Sequence, residues 1–264
     1  MSFFDHLEEL RWHIIRSAIA VVVFMIVAFL NKRFIFDYVL FGPVREDFPT
    51  YRALCYLSDK IMLSDRFCIN EITFNIINLE LAGQFLVHLK TSLILGFVIS
   101  FPYIFWEMWR FIKPALYSEE MKYSRVIIFF SSLLFFMGIA FGYYVLMPFS
   151  VNFFANYEVS SAIGNNFSLK NYMGFITMFV MASGILFELP MVVYFLAKVG
   201  LVGPDMMRSY RKHAFVVILL IAAIITPADV GTQIMVTLPV CILYEISIFI
   251  AARVEKNRLA KMDS

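Results

Sequence analysis

The sequence predicts an all-α, polytopic integral membrane protein. Three observations carry that prediction: 61% of the 264 residues are hydrophobic and only 16% charged, the mean hydropathy is +0.78, and the apolar residues fall in long runs. An ordinary soluble chain is about 45–50% apolar and about 25% charged. The 30 Phe, 13 Tyr and 15 Met add surface suited to lipid and to neighbouring helices. Soluble enzyme, disordered chain and nucleic-acid binder are set aside on these grounds. A net charge of +2 gives no field able to hold a polyanion, so no nucleic-acid partner is expected.

A helix needs about 20 mostly apolar residues to cross the hydrocarbon core. Ile14–Leu30 is the first candidate, with only Arg16 at its entrance. Phe85–Phe105 is the second, with Lys90 inside and Pro102 near its end. Val126–Tyr157 carries no charge and forms the third, expected to stop near Pro148. Tyr172–Ala197 is the fourth, and Glu188 is its one ionisable group besides tyrosines. Ala214–Ala228 and Val230–Tyr244 are each 15 uncharged residues, divided by Asp229. Between them, Thr226-Pro227-Ala228-Asp229 is a turn sequence, because Pro disfavours helix before it and Asp favours turns. The expectation is therefore six transmembrane helices in a single domain over residues 1–264, with the last two helices short. Helices that short thin the bilayer or sit among longer neighbours.

Orientation follows from Lys and Arg flanking the spans. Arg110, Lys113, Lys122 and Arg125 follow the second span, Lys198, Arg208, Arg211 and Lys212 the fourth, and Arg253, Lys256, Arg258 and Lys261 the sixth. The loop after the third span has only Lys170, and the Thr226–Asp229 turn has no base. Both termini are expected in the cytoplasm, with a tail of about 253–264. The first external loop, about 31–82, mixes six basic with seven acidic residues and adds little. Asp5, Glu8 and Glu9 without any Lys or Arg in the first ten residues argue against a cleavable signal peptide. Cys55 and Cys68 fall in the first external loop, in an oxidising space, where a bridge and two free thiols are both open readings. Cys241 reads as a packing residue.

The chain shows no nucleotide-cradling G-x-x-x-x-G-K-[ST], no H-E-x-x-H and no G-x-S-x-G, and its four histidines are scattered. No enzyme activity, cofactor or metal is expected, so any work of transport draws on another energy source. Glu188 is the costliest side chain, since a charge at a span's centre costs roughly 2.5–3.5 kcal/mol on the insertion scale. It faces either a cavity or partner helix, or a hydrogen bond inside the bundle. Pro190 just after it removes a backbone donor and should loosen the helix. Glu245 reads equally as an ion-pair partner and as a functional group. On the cytoplasmic face, Asp5 with Glu8 and the pair Glu119-Glu120 suit helix N-termini. They equally suit a cationic ligand, because carboxylates take guanidinium bidentately. Gly138-x-x-x-Gly142 reads as close helix packing inside the bundle.

Five stretches fall in a recognisable order: His6-Leu7-Glu8-Glu9-Leu10-Arg11; Trp109-Arg110-Phe111-Ile112-Lys113-Pro114-Ala115-Leu116-Tyr117 with Glu120; Phe187-Glu188-Leu189-Pro190; Thr226-Pro227-Ala228-Asp229-Val230 with Gln233; and Tyr244-Glu245-Ile246. Together they make the chain resemble the TatC family of the twin-arginine translocase along nearly its whole length. The resemblance implies a multi-pass protein of the bacterial cytoplasmic (inner) membrane that binds twin-arginine signal peptides. It also implies export of folded cargo driven by the proton-motive force. By that resemblance Glu9 and Glu120 face the arginine pair, and Arg11, Phe111 and Pro114 shape the site. Glu188, Thr226 and Gln233 would dock the single-span partners TatA and TatB, and self-association in a larger complex is expected. Pro43 matches a family proline, whereas Ala228 stands where many relatives carry a second Pro. The alternative from another class is a proton-coupled small-solute transporter using Glu188. Such carriers often show internal repeats, which this sequence lacks.

Overall fold

The computed structural model describes residues 3–45, 47–60, 75–112, 124–160, 165–226 and 230–262. Pro114, Glu119, Glu120, Cys68 and the 227–229 turn lie outside them. Packing groups the chain into two compact units: Met1–Phe48 with Asn70–Leu133 and Glu158–Thr177, and Pro49–Ile69 with Leu134–Tyr157 and Met178–Ser264.

In the first unit, α1 (Phe3–Leu30) lies along α3 (Gly83–Ile112). The close approach is made by Gly96, where an added Cβ would stand 2.6 Å from the Val21 carbonyl oxygen and 2.8 Å from the Met25 nitrogen. Such backbone-to-backbone contact needs a residue without a side chain. The pair runs antiparallel, since His88 near the start of α3 stacks on Phe29 near the end of α1, ring centroids 4.0 Å apart. The same ring donates through Nε2 to the Phe29 carbonyl at 3.1 Å. Ile14, Ile19, Val23, Val27 and Leu30 are exposed on α1, as expected for a surface solvated by lipid. After α1 the chain takes a π-helical turn (Phe34–Leu40), whose Leu40 carbonyl accepts the Tyr172 hydroxyl at 2.8 Å. Two three-residue strands, β1 (Asn75–Ile77) and β2 (Asn166–Ser168), pair in parallel with Asn75 opposite Asn166. Lys170 and Glu80 form an ion pair beside them at 2.8 Å.

The second unit holds α2 (Pro49–Lys60) from the loop between the first two spans, so that loop carries secondary structure of its own. Cys55 on α2 is disulfide-bonded and Cys241 is a free thiol. The third span does not stop near Pro148. After α4 (Ser124–Phe141), a wide turn (Gly142–Leu146) leads directly into α5 (Met147–Asn156), with Pro148 in its first turn. Proline is tolerated there because the wide turn rearranges the ladder and Met147 donates back to the Gly142 carbonyl. Pro148 has no N–H for the Tyr144 carbonyl, and the Thr50 hydroxyl of α2 donates to that oxygen at 2.6 Å instead. The third span therefore reaches Asn156.

Pro190 breaks the fourth span as its chemistry requires. The helix divides into α6 (Leu169–Phe187) and α7 (Leu189–Val199) around Glu188, whose N–H bonds the Ile185 carbonyl at 3.1 Å in a tightened turn. Gly138 and Gly142 lie against α6. An added Cβ at Gly142 would be 2.5 Å from the Phe179 carbonyl oxygen, and one at Gly138 would be 2.8 Å from the Ser183 carbonyl carbon. The glycine spacing is thus packing inside the unit.

A short α8 (Pro204–Ser209) leads to α9 (Arg211–Ile225) and α10 (Val230–Met262). With 15 residues, α9 is short as expected and extends about 22 Å, less than the roughly 30 Å of hydrocarbon. The last helix is not short. It runs for 33 residues through Tyr244 and the expected tail, because Ile246–Ala252 stays apolar apart from Ser247 and no Gly or Pro follows before Met262. Among the described residues, five stretches are long and apolar enough to cross a bilayer: Glu8–Leu30, Gly83–Phe111, Arg125–Asn156, Leu169–Val199 and Val230–Leu259. α10 packs on α7, α8 and α9, and Val193, Ala197, Met207, Ile248 and Ala251 form a buried cluster there. Two buried hydroxyls of α10 bond their own helix, Thr237 to the Gln233 carbonyl at 2.8 Å and Ser247 to the Leu243 carbonyl at 2.6 Å. That is how a hydroxyl is satisfied where no water reaches.

Replacing Gly142 with Leu should cost about 1–3 kcal/mol of stability, because its Cβ would meet backbone and not a movable side chain. Thermal unfolding of the purified protein in detergent reads this. Gly174→Ala, where nothing lies within 4 Å, serves as the control and should not move the transition.

Candidate functional site

The first half of α1 and the last turns of α3 meet at a buried carboxylate. Glu107 on α3 has a side chain only 1% exposed, an unusual place for a charge unless it is paired. It is paired several times. Its Oε2 accepts from His13 Nδ1 at 2.5 Å, and its Oε1 accepts from the Arg110 guanidinium at 3.2 Å. Arg16 lies 3.9 Å from Oε2, and the Tyr103 phenol is close by. His13 and Arg16 are one turn apart on α1, and Glu107 and Arg110 one turn apart on α3, so a single carboxylate joins both helices. The arginines are half-exposed and keep one end in solvent while the carboxylate is sealed beneath them. Arg110 also lies over the Trp106 ring, 5.0 Å from its centroid.

This junction places two of the residues expected at the site. Phe111, one turn beyond Glu107, packs edge-on against the His13 ring with centroids 6.1 Å apart. Glu9 is partly buried one turn before His13 on the same side of α1. Arg11 is exposed and sits over the Trp12 ring at 5.7 Å. Pro114 and Glu120 lie outside the described residues.

The intramembrane candidates all belong to the second unit. Glu188 is half-buried at the α6–α7 break and makes no side-chain capping bond to α7. Thr226 is buried at the end of α9 and donates to the Ala222 carbonyl at 2.9 Å. Gln233 on α10 donates its amide to the Leu219 carbonyl at 3.2 Å and so ties α10 to α9. Glu245 is in an ion pair with Arg211 at 2.7 Å, both partners half-exposed. Among the described residues, no group of three His, Cys, Asp or Glu is placed to hold a metal ion.

Sequence reasoning passed over Glu107. A signal existed: an acid just beyond an apolar run with Arg110 at i+3, and a His13/Arg16 pair with the same spacing at the entrance of the first span. Nothing in the chain order shows that these two turns face each other.

A family model described as Sec-independent protein translocase protein (TatC) matches residues 5–239. A relative named Sec-independent protein translocase protein TatC, from Blattabacterium sp. subsp. Periplaneta americana (strain BPLAN), is 42% identical over 98% of this chain and 97% of its own length. The protein of the same name from Aquifex aeolicus (strain VF5) is 33% identical over 95% of this chain and 94% of its own. Two crystal structures described as the twin arginine translocase receptor TatC, one of them in DDM, superpose with TM-scores of 0.70 and 0.73. Both are 33% identical to this chain and cover 93% of it, over 97% and 99% of their own lengths.

Truncating His13 to Ala leaves Glu107 buried with only the flanking arginines to balance it. The expected loss is about 2 kcal/mol of stability, below the usual cost of breaking a buried pair because Arg110 remains bonded. An unfolding transition in detergent that does not shift would show that the His13 contact carries no weight.

Proposed function

The chain belongs to the TatC family of Sec-independent protein translocase components, and on that premise we propose that it is the receptor core of its translocase, binding twin-arginine signal peptides at the ends of α1 and α3. The observation that carries this reading is the partly buried carboxylate of Glu9, set one turn from a junction where His13, Glu107 and Phe111 lock the two helices together. A guanidinium is planar and presents paired N–H donors that fit a carboxylate, whereas a lysine ammonium is a point charge. A carboxylate held beside packed helices near low dielectric therefore favours arginine over lysine at equal charge. Glu9 and Glu120 are the carboxylates in this proposal, and Arg11, Phe111 and Pro114 shape the walls.

The excess of Lys and Arg after the second, fourth and sixth spans supports an orientation with this site and both termini in the cytoplasm of a bacterial cell. α9 then crosses as a sixth, short span and thins the bilayer beside it. A partner helix of the TatA or TatB kind docks in the membrane near Glu188, Thr226 and Gln233. The proline break at Glu188 supports this, because a carboxyl at a helix interruption has lost a regular ladder around it and is suited to a polar group on a neighbouring helix. Transport work comes from the proton-motive force, and several copies with their partners form the path for folded cargo.

Purified protein in detergent should bind a twin-arginine signal peptide more tightly than its twin-lysine version. Glu9→Ala and Glu120→Ala should each reduce arginine binding by about tenfold or more, the scale of a lost charge-assisted bond. Equal losses for both peptides would remove the arginine-site assignment.

Glu188→Ala should leave peptide affinity within about twofold and markedly weaken site-directed crosslinks to the single-span partners, since it removes only a membrane contact. Lost peptide binding with normal partner crosslinks would contradict the division of roles.

A further inference from the structure

The turns of α1 and α3 that frame the proposed arginine site are themselves rich in cations. Arg11, Arg16 and Arg110 are all half-exposed or exposed there, and His13 lies among them. A ligand bearing two arginines should be repelled by such a surface. Glu8, exposed, and Glu9, partly buried, are two carboxylates against three guanidinium groups on these turns, and Glu107 is too deeply buried, at 1% exposure, to touch a ligand itself. Its two oxygens are taken by His13 and Arg110, with Arg16 at 3.9 Å. All three of those groups are thereby gathered at the junction of the two helices.

We infer that Glu107 is a positioning and charge-balancing residue for dicationic ligands: it gathers His13, Arg16 and Arg110 around one buried carboxylate and cancels charge that would oppose a twin-arginine peptide. This deepens the receptor reading and rests on it. The role differs from that of Glu9, which contacts the ligand and selects arginine. Glu107 acts through its neighbours and lowers the barrier to any dication, arginine or lysine alike. Burial strengthens the effect, because a carboxylate in a low-dielectric seam is screened by salt less than one in water, while the incoming peptide still meets the arginines at a wet surface.

The test is equilibrium binding of labelled twin-arginine and twin-lysine signal peptides to the full-length protein in detergent, across a salt series. The wild type is measured first; no preference for arginine would sink the receptor reading and this inference with it. Given that preference, Glu107→Gln keeps the side chain's shape and removes its charge. Both peptides should then bind about tenfold more weakly at low salt, with the preference for arginine retained. The deficit should shrink below about threefold near 1 M salt. Glu107→Gln combined with Arg110→Gln restores the charge balance and should recover affinity to within about twofold of wild type. A low-salt affinity equal to wild type overturns the inference. So does a deficit that ignores salt and is not recovered in the double variant, since that pattern belongs to lost packing alone. If Glu107→Gln fails to fold, Arg110→Gln alone decides the matter: it should tighten both peptides several-fold at low salt, and unchanged or weaker binding overturns the inference.

Discussion

A backbone surrounded by hydrocarbon has no water to complete its hydrogen bonds, and the rest of this structure follows from that constraint. Every long apolar run becomes helix, and the interesting places are those where the ladder fails. Pro148 leaves the Tyr144 carbonyl without its usual donor, and a hydroxyl from a neighbouring helix, Thr50, takes the place of the missing N–H. Pro190 does the same to the Leu186 carbonyl, and there the chain responds by ending one helix and starting another around Glu188. Two prolines with the same local chemistry thus give different outcomes. A wide turn and a partner hydroxyl were available to the first, and an ionisable residue sits at the second.

The same scarcity of water governs the side chains. Thr237 and Ser247 in the spans turn back onto their own helix, while Gln233 reaches across to α9. Glu107 is the extreme case. A bare carboxylate in that seam would be too costly, so its presence demands cations, and the cations it collects come from two helices. Charge pairing and helix packing are one event at this junction. Gly96 permits the close approach of α1 and α3 in mid-span, and the His13–Glu107 contact fixes their register at one end.

The proposed receptor and docking roles divide along these lines. The proposed peptide site lies at the ends of α1 and α3, where wet arginines and a partly buried Glu9 meet. The proposed partner site uses Glu188, Thr226 and Gln233, polar groups on three helices of the second unit. An acid that must select a soluble peptide needs access to water. One that must hold a membrane helix gains from being away from it.

Much of this was legible in the chain order. Apolar run length sets where helices stand, the apolar runs on either side of residues 227–229 form separate helices, and the glycine spacing at 138 and 142 marks a close contact, since each depends only on residues near in sequence. The motifs around Glu9, Phe111, Glu188 and Gln233 identify the family for the same reason. Helix ends were less legible. The sequence alone suggested a stop at Pro148 and a short last helix, whereas α5 runs to Asn156 and α10 to Met262. A proline's effect depends on what else satisfies the freed carbonyl, and a helix beyond a membrane boundary needs no hydropathy to continue. The burial of Glu107 was not legible, although its spacing to Arg110 was. Its partners His13 and Arg16 lie about ninety residues away, and only the packing of α1 on α3 turns an ordinary acid at the end of a span into the centre of a charge cluster.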